Sequence, residues 1–218
     1  INLQAGRHTP YSREEIILDY VTIGIFQRNY SKVLLVIVNR SVVLKQIKIL
    51  EEAGLKIRKI LFAPEVIAHF YAKALTLMTS DSPLGIINIG HRFTDFVVTK
   101  GYTLVTCRNV PVGMAQLLAD SKAGYDNLVA ELKKSIESYQ NEDIEKIPES
   151  YILTSDHEKI RDLQVVLKEA LQSTVKIVPY LDNLKASQLA RKVISESGDD
   201  SFLDVVAPII SFGESKID

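Results

Sequence analysis

A chain of 218 residues with 46% hydrophobic and 24% charged side chains can bury one generous core or two small ones. Its net charge of -1 carries no basic excess for nucleic acid and no acidic tail, and its single cysteine, Cys107, excludes an intramolecular disulfide and points to a reducing compartment. No apolar run approaches the roughly 18 residues that a bilayer span requires, and no secretion signal is expected.

The chain opens at Ile1 without methionine and in mid-pattern, so a longer parent chain is expected. Ile1–His8 reads as the end of a helix, closed by Thr9-Pro10 because the residue before proline disfavours helix. Glu14–Ile23 and Lys32–Asn39 are rich in Ile, Val and Leu and read as paired strands around a loop, Gly24–Ser31. Ser41 is the expected N-cap of a helix with Val42, Val43, Ile47, Leu50 and Ala53 on one face, stopped by Gly54. Leu55–Leu61 reads as a third strand, with Lys56, Arg58 and Lys59 marking an edge. Strand, strand, helix and strand make a small α/β unit.

Pro64 suits the first turn of a helix and Glu65 its positive end. That helix is expected to reach Met78, with Val66, Ile67, Phe70, Ala74 and Leu77 inward. Thr79–Pro83 is a turn cluster and the expected domain boundary. Leu84–Ile89 is an almost unbroken apolar run, the pattern of a strand buried on both faces. Phe93–Thr99 and Tyr102–Cys107 follow as a hairpin whose Lys100-Gly101 corner uses glycine for positive φ; in that strand Cys107 reads as a buried, inert thiol.

After Pro111-Val112-Gly113 the pattern is helical, interrupted near Gly124 and resuming through Tyr139. Leu128, Leu132, Ile136 and Tyr139 keep helical spacing, and Glu131 faces Ser135 rather than a lysine. Asn141–Ser150 is a polar loop, Tyr151–Thr154 a strand, Asp156–Leu171 an amphipathic helix, Val175–Val178 a strand and Ser201–Phe212 a final short helix. Tyr139, Tyr151 and Tyr180 read as core or rim residues. The histidines, His8, His69, His91 and His157, have no paired ligand spacing, so no zinc site is expected.

The turn Asn88-Ile89-Gly90-His91-Arg92-Phe93-Thr94-Asp95 can be an ordinary hairpin turn. A glycine among hydroxyl and carboxamide groups between buried strands can also let a phosphate approach the backbone. With Gly90, Thr94 and Asp95 in these places, the segment resembles the second phosphate loop of the actin/sugar-kinase/heat-shock ATPase superfamily, Asp-x-Gly-x-x-x-Thr before a strand hairpin. Asn88 stands where that pattern has its leading aspartate. Within the superfamily the chain resembles the PilM-type family of type IV pilus assembly proteins, relatives of the cell-division protein FtsA. Thr-Pro-Tyr followed by Arg-Glu-Glu-Ile-Ile-Leu-Asp-Tyr is similar to that family's entry into its small subdomain. Glu51-Glu52-Ala53-Gly54-Leu55 is similar to its helix-to-strand junction, and these likenesses come in family order.

The resemblance implies an α/β chain with an actin-like (ribonuclease-H-like) domain over 81–218, preceded by a small inserted-type α/β subdomain and connecting helix over 1–80. ATP-binding members place a glycine pair between a strand and a helix, against which the adenosine lies. Here Ser155-Asp156-His157 stand there, without glycine; the carboxylate of Asp156 would repel phosphates, and Ser155-Asp156 serves equally as a helix N-cap. An aspartate in place of Asn88 would help to hold Mg²⁺, whereas a carboxamide brings no charge. The family's first phosphate loop is not found in this chain. Asn88, Gly90, Thr94 and Asp95 thus read as a vestigial phosphate loop and Ser155 and Asp156 as a vestigial adenosine turn, with no catalytic residue and no metal ligand.

The resemblance therefore implies a non-catalytic cytoplasmic scaffold, peripheral to the inner membrane, in a type IV pilus or type II secretion platform. It also implies a partner, the short cytoplasmic N-terminal tail of an inner-membrane protein, and contacts with copies of itself or with the inner-membrane platform. The cytoplasmic domain of secretion-system L-type proteins is a close variant. The alternative is an ATP-binding ATPase or kinase of the superfamily, using ATP and Mg²⁺, whose first phosphate loop lies outside this chain; a third reading is an FtsA-like filament former.

Overall fold

A computed structural model of the chain describes residues 9–26, 30–74, 82–141, 146–155, 157 and 159–178. The expected helices at Ile1–His8 and Ser201–Phe212, the last turn of the helix toward Met78, and Tyr180 lie outside the described residues. The contacts divide the chain into two units, Ile1–Phe62 and Ala63–Asp218. The helix that follows Phe62 therefore groups with the second unit, not with the first as the turn cluster at Thr79–Pro83 suggests.

The first unit is a hairpin and a helix. A single 3-10 turn, Arg13–Glu15, leads in, and the Glu15 carboxylate accepts from the Ser12 amide at 2.8 Å. That bond holds the Glu15 carboxyl below its ordinary pKa. Strands β1 (Ile16–Phe26) and β2 (Tyr30–Asn39) pair antiparallel from Ile16↔Asn39 outward, with a register shift between Thr22 and Gly24. Helix α1 (Arg40–Glu52) follows directly. Its cap is Asn39, not the expected Ser41: the Asn39 Oδ1 accepts from the Ser41 amide at 2.9 Å and from its hydroxyl at 2.7 Å. Arg40 ties the helix start to the hairpin, its guanidinium donating to the carbonyls of Glu14 and Ile16 at 2.9 and 3.0 Å. Gly54 ends the helix at φ 77°, a conformation that costs any residue with a Cβ.

The expected third strand, Leu55–Leu61, does not form. Among the described residues, strands β1 and β2 make a two-stranded sheet by themselves. Three cations stand in four residues at 56–59, and Leu55 and Ile60 are more than half exposed, so the segment turns much of its surface to solvent.

The second unit is built on a five-stranded sheet of order β5-β4-β3-β6-β7, where β3 is Leu84–Ile89, β4 Thr94–Lys100, β5 Thr103–Val110, β6 Ser150–Ser155 and β7 Thr174–Ile177. The β3–β4 and β4–β5 pairs are antiparallel; β3–β6 and β6–β7 are parallel. The unbroken apolar run of β3 fits its central place: Ile86, Ile87 and Ile89 are at most 1% exposed. The β4–β5 corner turns on Gly101 at φ 54°, as its glycine requires.

Helices cover the sheet. Helix α2 (Ala63–Ala74) packs on β4 and β5 and buries Ala68, Tyr71 and Ala72 as well as the expected Val66, Ile67 and Phe70. Helices α3 (Met114–Ala119) and α4 (Ser121–Asn141) are separated at Asp120, not near Gly124. Asp120 is extended, and its carboxylate accepts from the Ala123 amide at 3.0 Å, starting the new helix. Gly124 sits inside α4 because it packs on α3: a Cβ there would stand 3.0 Å from the Gln116 carbonyl oxygen. Leu128, Leu132 and Tyr139 turn inward as their spacing predicts. Glu131 does face a lysine: its carboxylate meets the Lys134 ammonium at 2.6 Å, while the Ser135 hydroxyl donates to the Glu131 carbonyl. Helix α5 (Ile160–Leu171) buries Ile160, Leu163 and Leu167 beside β6 and β7.

Candidate functional site at the β3–β4 turn

The turn leaves the central strand of the sheet and is fastened by main-chain bonds. The Gly90 amide donates to the Phe93 carbonyl at 2.9 Å, closing the turn on itself. The amides of Met114 and Ala115, at the start of α3, donate to the carbonyls of Gly90 and His91, both at 2.9 Å. Gly113 makes this approach possible: a Cβ on it would lie 2.4 Å from the Arg92 carbonyl carbon and 2.5 Å from the Phe93 nitrogen. Its amide donates to the Gln116 side-chain oxygen at 3.0 Å. His91, Arg92 and Phe93 are left exposed at the tip, with the Arg92 guanidinium 5.9 Å above the Phe93 ring.

Strand alternation sorts the candidate residues onto opposite faces of the sheet. Asn88 stands opposite Asp95 on β4 and Thr154 on β6, and Asp95 stands opposite Asn109 on β5. These four form a polar row across four strands, and the Asp95 carboxylate accepts from the Asn109 carboxamide at 2.9 Å. Cys107 lies two residues from Asn109 on this face; burial first, and then the Asp95 charge, push its thiol up to about 11. Thr94 and Ser155 register with Ile89 and so face the other way.

Both hydroxyls on that second face are bound inside the protein. The Thr94 Oγ1, fully buried, donates to the Val112 carbonyl at 2.7 Å. The Ser155 Oγ donates to the Ile89 carbonyl at 2.8 Å. Ser155 is therefore the last residue of β6, not the cap of the next helix. That helix starts at Ile160 after Lys159, which makes no side-chain cap, and the His157 Nδ1 accepts from the Lys159 amide at 3.2 Å. Asp156 lies outside the described residues.

Thr94→Val keeps the shape and removes the donor. It is expected to cost about 1–3 kcal/mol, because the Val112 carbonyl loses its partner in a dry place. Thr94→Ser should cost much less. Urea unfolding of the two variants distinguishes a structural hydroxyl from one reserved for a phosphate, whose removal would leave stability unchanged.

Of the six expected site residues, the structure brings Asn88 and Asp95 together, places Gly90 in the fastened turn, and turns Thr94 and Ser155 to the far face. Sequence reasoning missed Asn109, Thr154, Gly113 and Gln116. Gly113 before a helix was a visible signal; the partnership of Asn109 with Asp95 was not. These residues fit a magnesium triphosphate poorly. One carboxylate faces the site beside two neutral carboxamides, where a hard cation gathers charged oxygens, and the Gly90 amide that could receive a phosphate is used within the turn. Among the described residues no group of three or more His, Cys, Asp or Glu gathers as metal ligands.

Residues 1–178 match the family model described as type IV pilus assembly protein PilM. Among solved structures, the chain is similar to one in the PilM–PilN type IV pilus biogenesis complex, with a TM-score of 0.75 and 19% identity over 96% of this chain and 70% of that one. It is also similar to a Bacteroides thetaiotaomicron protein of actin-like ATPase fold and unknown function (TM-score 0.44, 10% identity, 84% of this chain and 63% of that one). A further likeness is to the ethanolamine utilization protein EutJ from Carboxydothermus hydrogenoformans (TM-score 0.43, 14% identity, 61% of this chain and 54% of that one). No curated protein matches the sequence.

Proposed function

This chain belongs to the family of type IV pilus assembly proteins PilM and shares the α/β fold of the solved PilM chain, and from that membership we propose that it is an actin-like, non-catalytic scaffold of the pilus assembly platform. It holds a membrane-anchored pilus protein of the PilN kind, as the solved relative is found in complex with PilN, by a short cytoplasmic N-terminal tail. The single observation that carries the non-catalytic part is the fate of the two hydroxyls: Thr94 and Ser155 are both spent on main-chain carbonyls. No described helix is long and apolar enough to cross a membrane, which suits a protein brought to the inner membrane by its partner. A rigid sheet with a fastened turn gives such a partner a preformed surface, so less ordering entropy is lost on binding.

Two titrations test this reading. The chain should capture a peptide of the N-terminal tail of its membrane partner, and calorimetry with ATP and Mg²⁺ should show no heat of binding. Failure to capture the tail removes the scaffold role. Micromolar ATP binding removes the non-catalytic one and restores the ATPase reading.

A further inference from the structure

Of the described large apolar side chains that are at least half exposed, all but Val165 lie in the first unit. Helix α1 has no buried residue. Val42, Leu44 and Ile49 on it are 56, 52 and 50% exposed, and Leu55 and Ile60 beyond it are each 58% exposed. Val43 and Ile47 are the half-buried positions of the helix, so the exposed groups are additional to those it turns inward.

Charge follows the same segment. Residues 40–60 hold six basic side chains (Arg40, Lys45, Lys48, Lys56, Arg58 and Lys59) against two acidic ones, Glu51 and Glu52, in a chain whose net charge is -1. The cations and the exposed apolar groups alternate: Leu44 precedes Lys45, Lys48 precedes Ile49, Leu55 precedes Lys56, and Lys59 precedes Ile60. Val42, Lys45 and Ile49 are three and four residues apart and share one helical face. Lys48 reaches Glu52 at 3.8 Å, an exposed pair that leaves its charge available.

Single aliphatic tips set among ammonium and guanidinium groups are the chemistry of an interfacial helix. The apolar groups enter the boundary between headgroups and acyl chains, and the cations meet anionic headgroups. The excess of cations over carboxylates complements anionic headgroups, and this charge favours a bilayer surface over a neutral apolar groove. We propose that the segment 40–60 binds the surface of an anionic membrane, independently of tail capture. It would orient the first unit against the bilayer to which the partner is anchored.

Co-sedimentation of the whole chain with vesicles tests this. Vesicles of phosphatidylglycerol and phosphatidylethanolamine should carry the protein down, and vesicles of phosphatidylcholine alone should not. Salt at about 1 M, where the screening length is about 3 Å, should release it. The triple variant Lys45→Gln/Lys56→Gln/Arg58→Gln should weaken partitioning on the order of 100-fold. Ile49→Ser/Leu55→Ser should weaken it at unchanged charge. All five positions are exposed, so circular dichroism should report an intact fold. Absence of binding to the anionic vesicles, equal binding to neutral ones, or wild-type binding by the triple variant would overturn the proposal. So would retention on immobilised polyglutamate as strong as on the vesicles, which would assign the face to an acidic protein.

Discussion

Replacing Tyr151 by alanine is expected to destabilise this protein by about 3–5 kcal/mol, the range for removing a large aromatic side chain from a core. Tyr151 is 1% exposed and stands opposite Gly85 in the parallel β3–β6 register. The glycine exists for the ring: a Cβ on Gly85 would lie 2.1 and 2.4 Å from two ring carbons. Phe96 closes the other side, its ring centroid 6.4 Å away. Gly85→Ala alone should therefore cost about 1–3 kcal/mol by overpacking. In the Tyr151→Ala background the same change should be neutral or stabilising, since the methyl group enters vacated space and alanine is favoured over glycine in a strand by about 0.5–1 kcal/mol. Urea unfolding of the four proteins measures the coupling. Additivity within about 0.5 kcal/mol would mean that ring and glycine are not in contact. Burial also pushes the Tyr151 phenol up to about 12, so folding favours its protonated form. That contribution is complete below about pH 10 and is lost as pH rises toward the folded value.

Gly113→Val is the second large effect, and it acts on the candidate site. The atoms in the way are main-chain atoms of Arg92 and Phe93, which cannot swing aside as a flexible side chain would. The turn must move off α3, breaking the bonds from the Met114 and Ala115 amides to the Gly90 and His91 carbonyls. A cost of about 3 kcal/mol, the upper end for overpacking, is expected, together with faster hydrogen exchange at Gly90, Met114 and Ala115. The φ of Gly113 is -136°, open to any residue, so the penalty comes from contact alone. A loss below about 1 kcal/mol would show that the turn yields freely and is not a fixed part of the fold.

Particular residues show how far the chain could be read before folding. The β3 strand was legible because a strand covered on both faces must be apolar throughout, and LGIINI is nearly so. Gly54 and Gly101 were legible because only glycine enters the left-handed region cheaply. The pairing of Asp95 with Asn109 was not. Counting back from the Lys100-Gly101 corner places Asp95 opposite Arg108, but a register shift between Val98 and Thr99 moves every later pair by one residue. Nor was the role of Ser155 legible, since a serine near a helix start is a good cap by propensity and its true partner, the Ile89 carbonyl, lies 66 residues away.

By itself, the amino-acid order determined the kinds of element and their succession, apart from the strand expected at Leu55–Leu61, and the loss of charge at Asn88, because these depend on local sterics, on the periodicity of apolar side chains and on the identity of a single group. Only the tertiary structure decided that Asn88 and Asp95 share a face while Thr94 and Ser155 look away from them, and that the 55–61 segment joins no sheet. Those outcomes depend on register and on partners distant in the chain, where one inserted residue reverses the side to which a strand presents its groups.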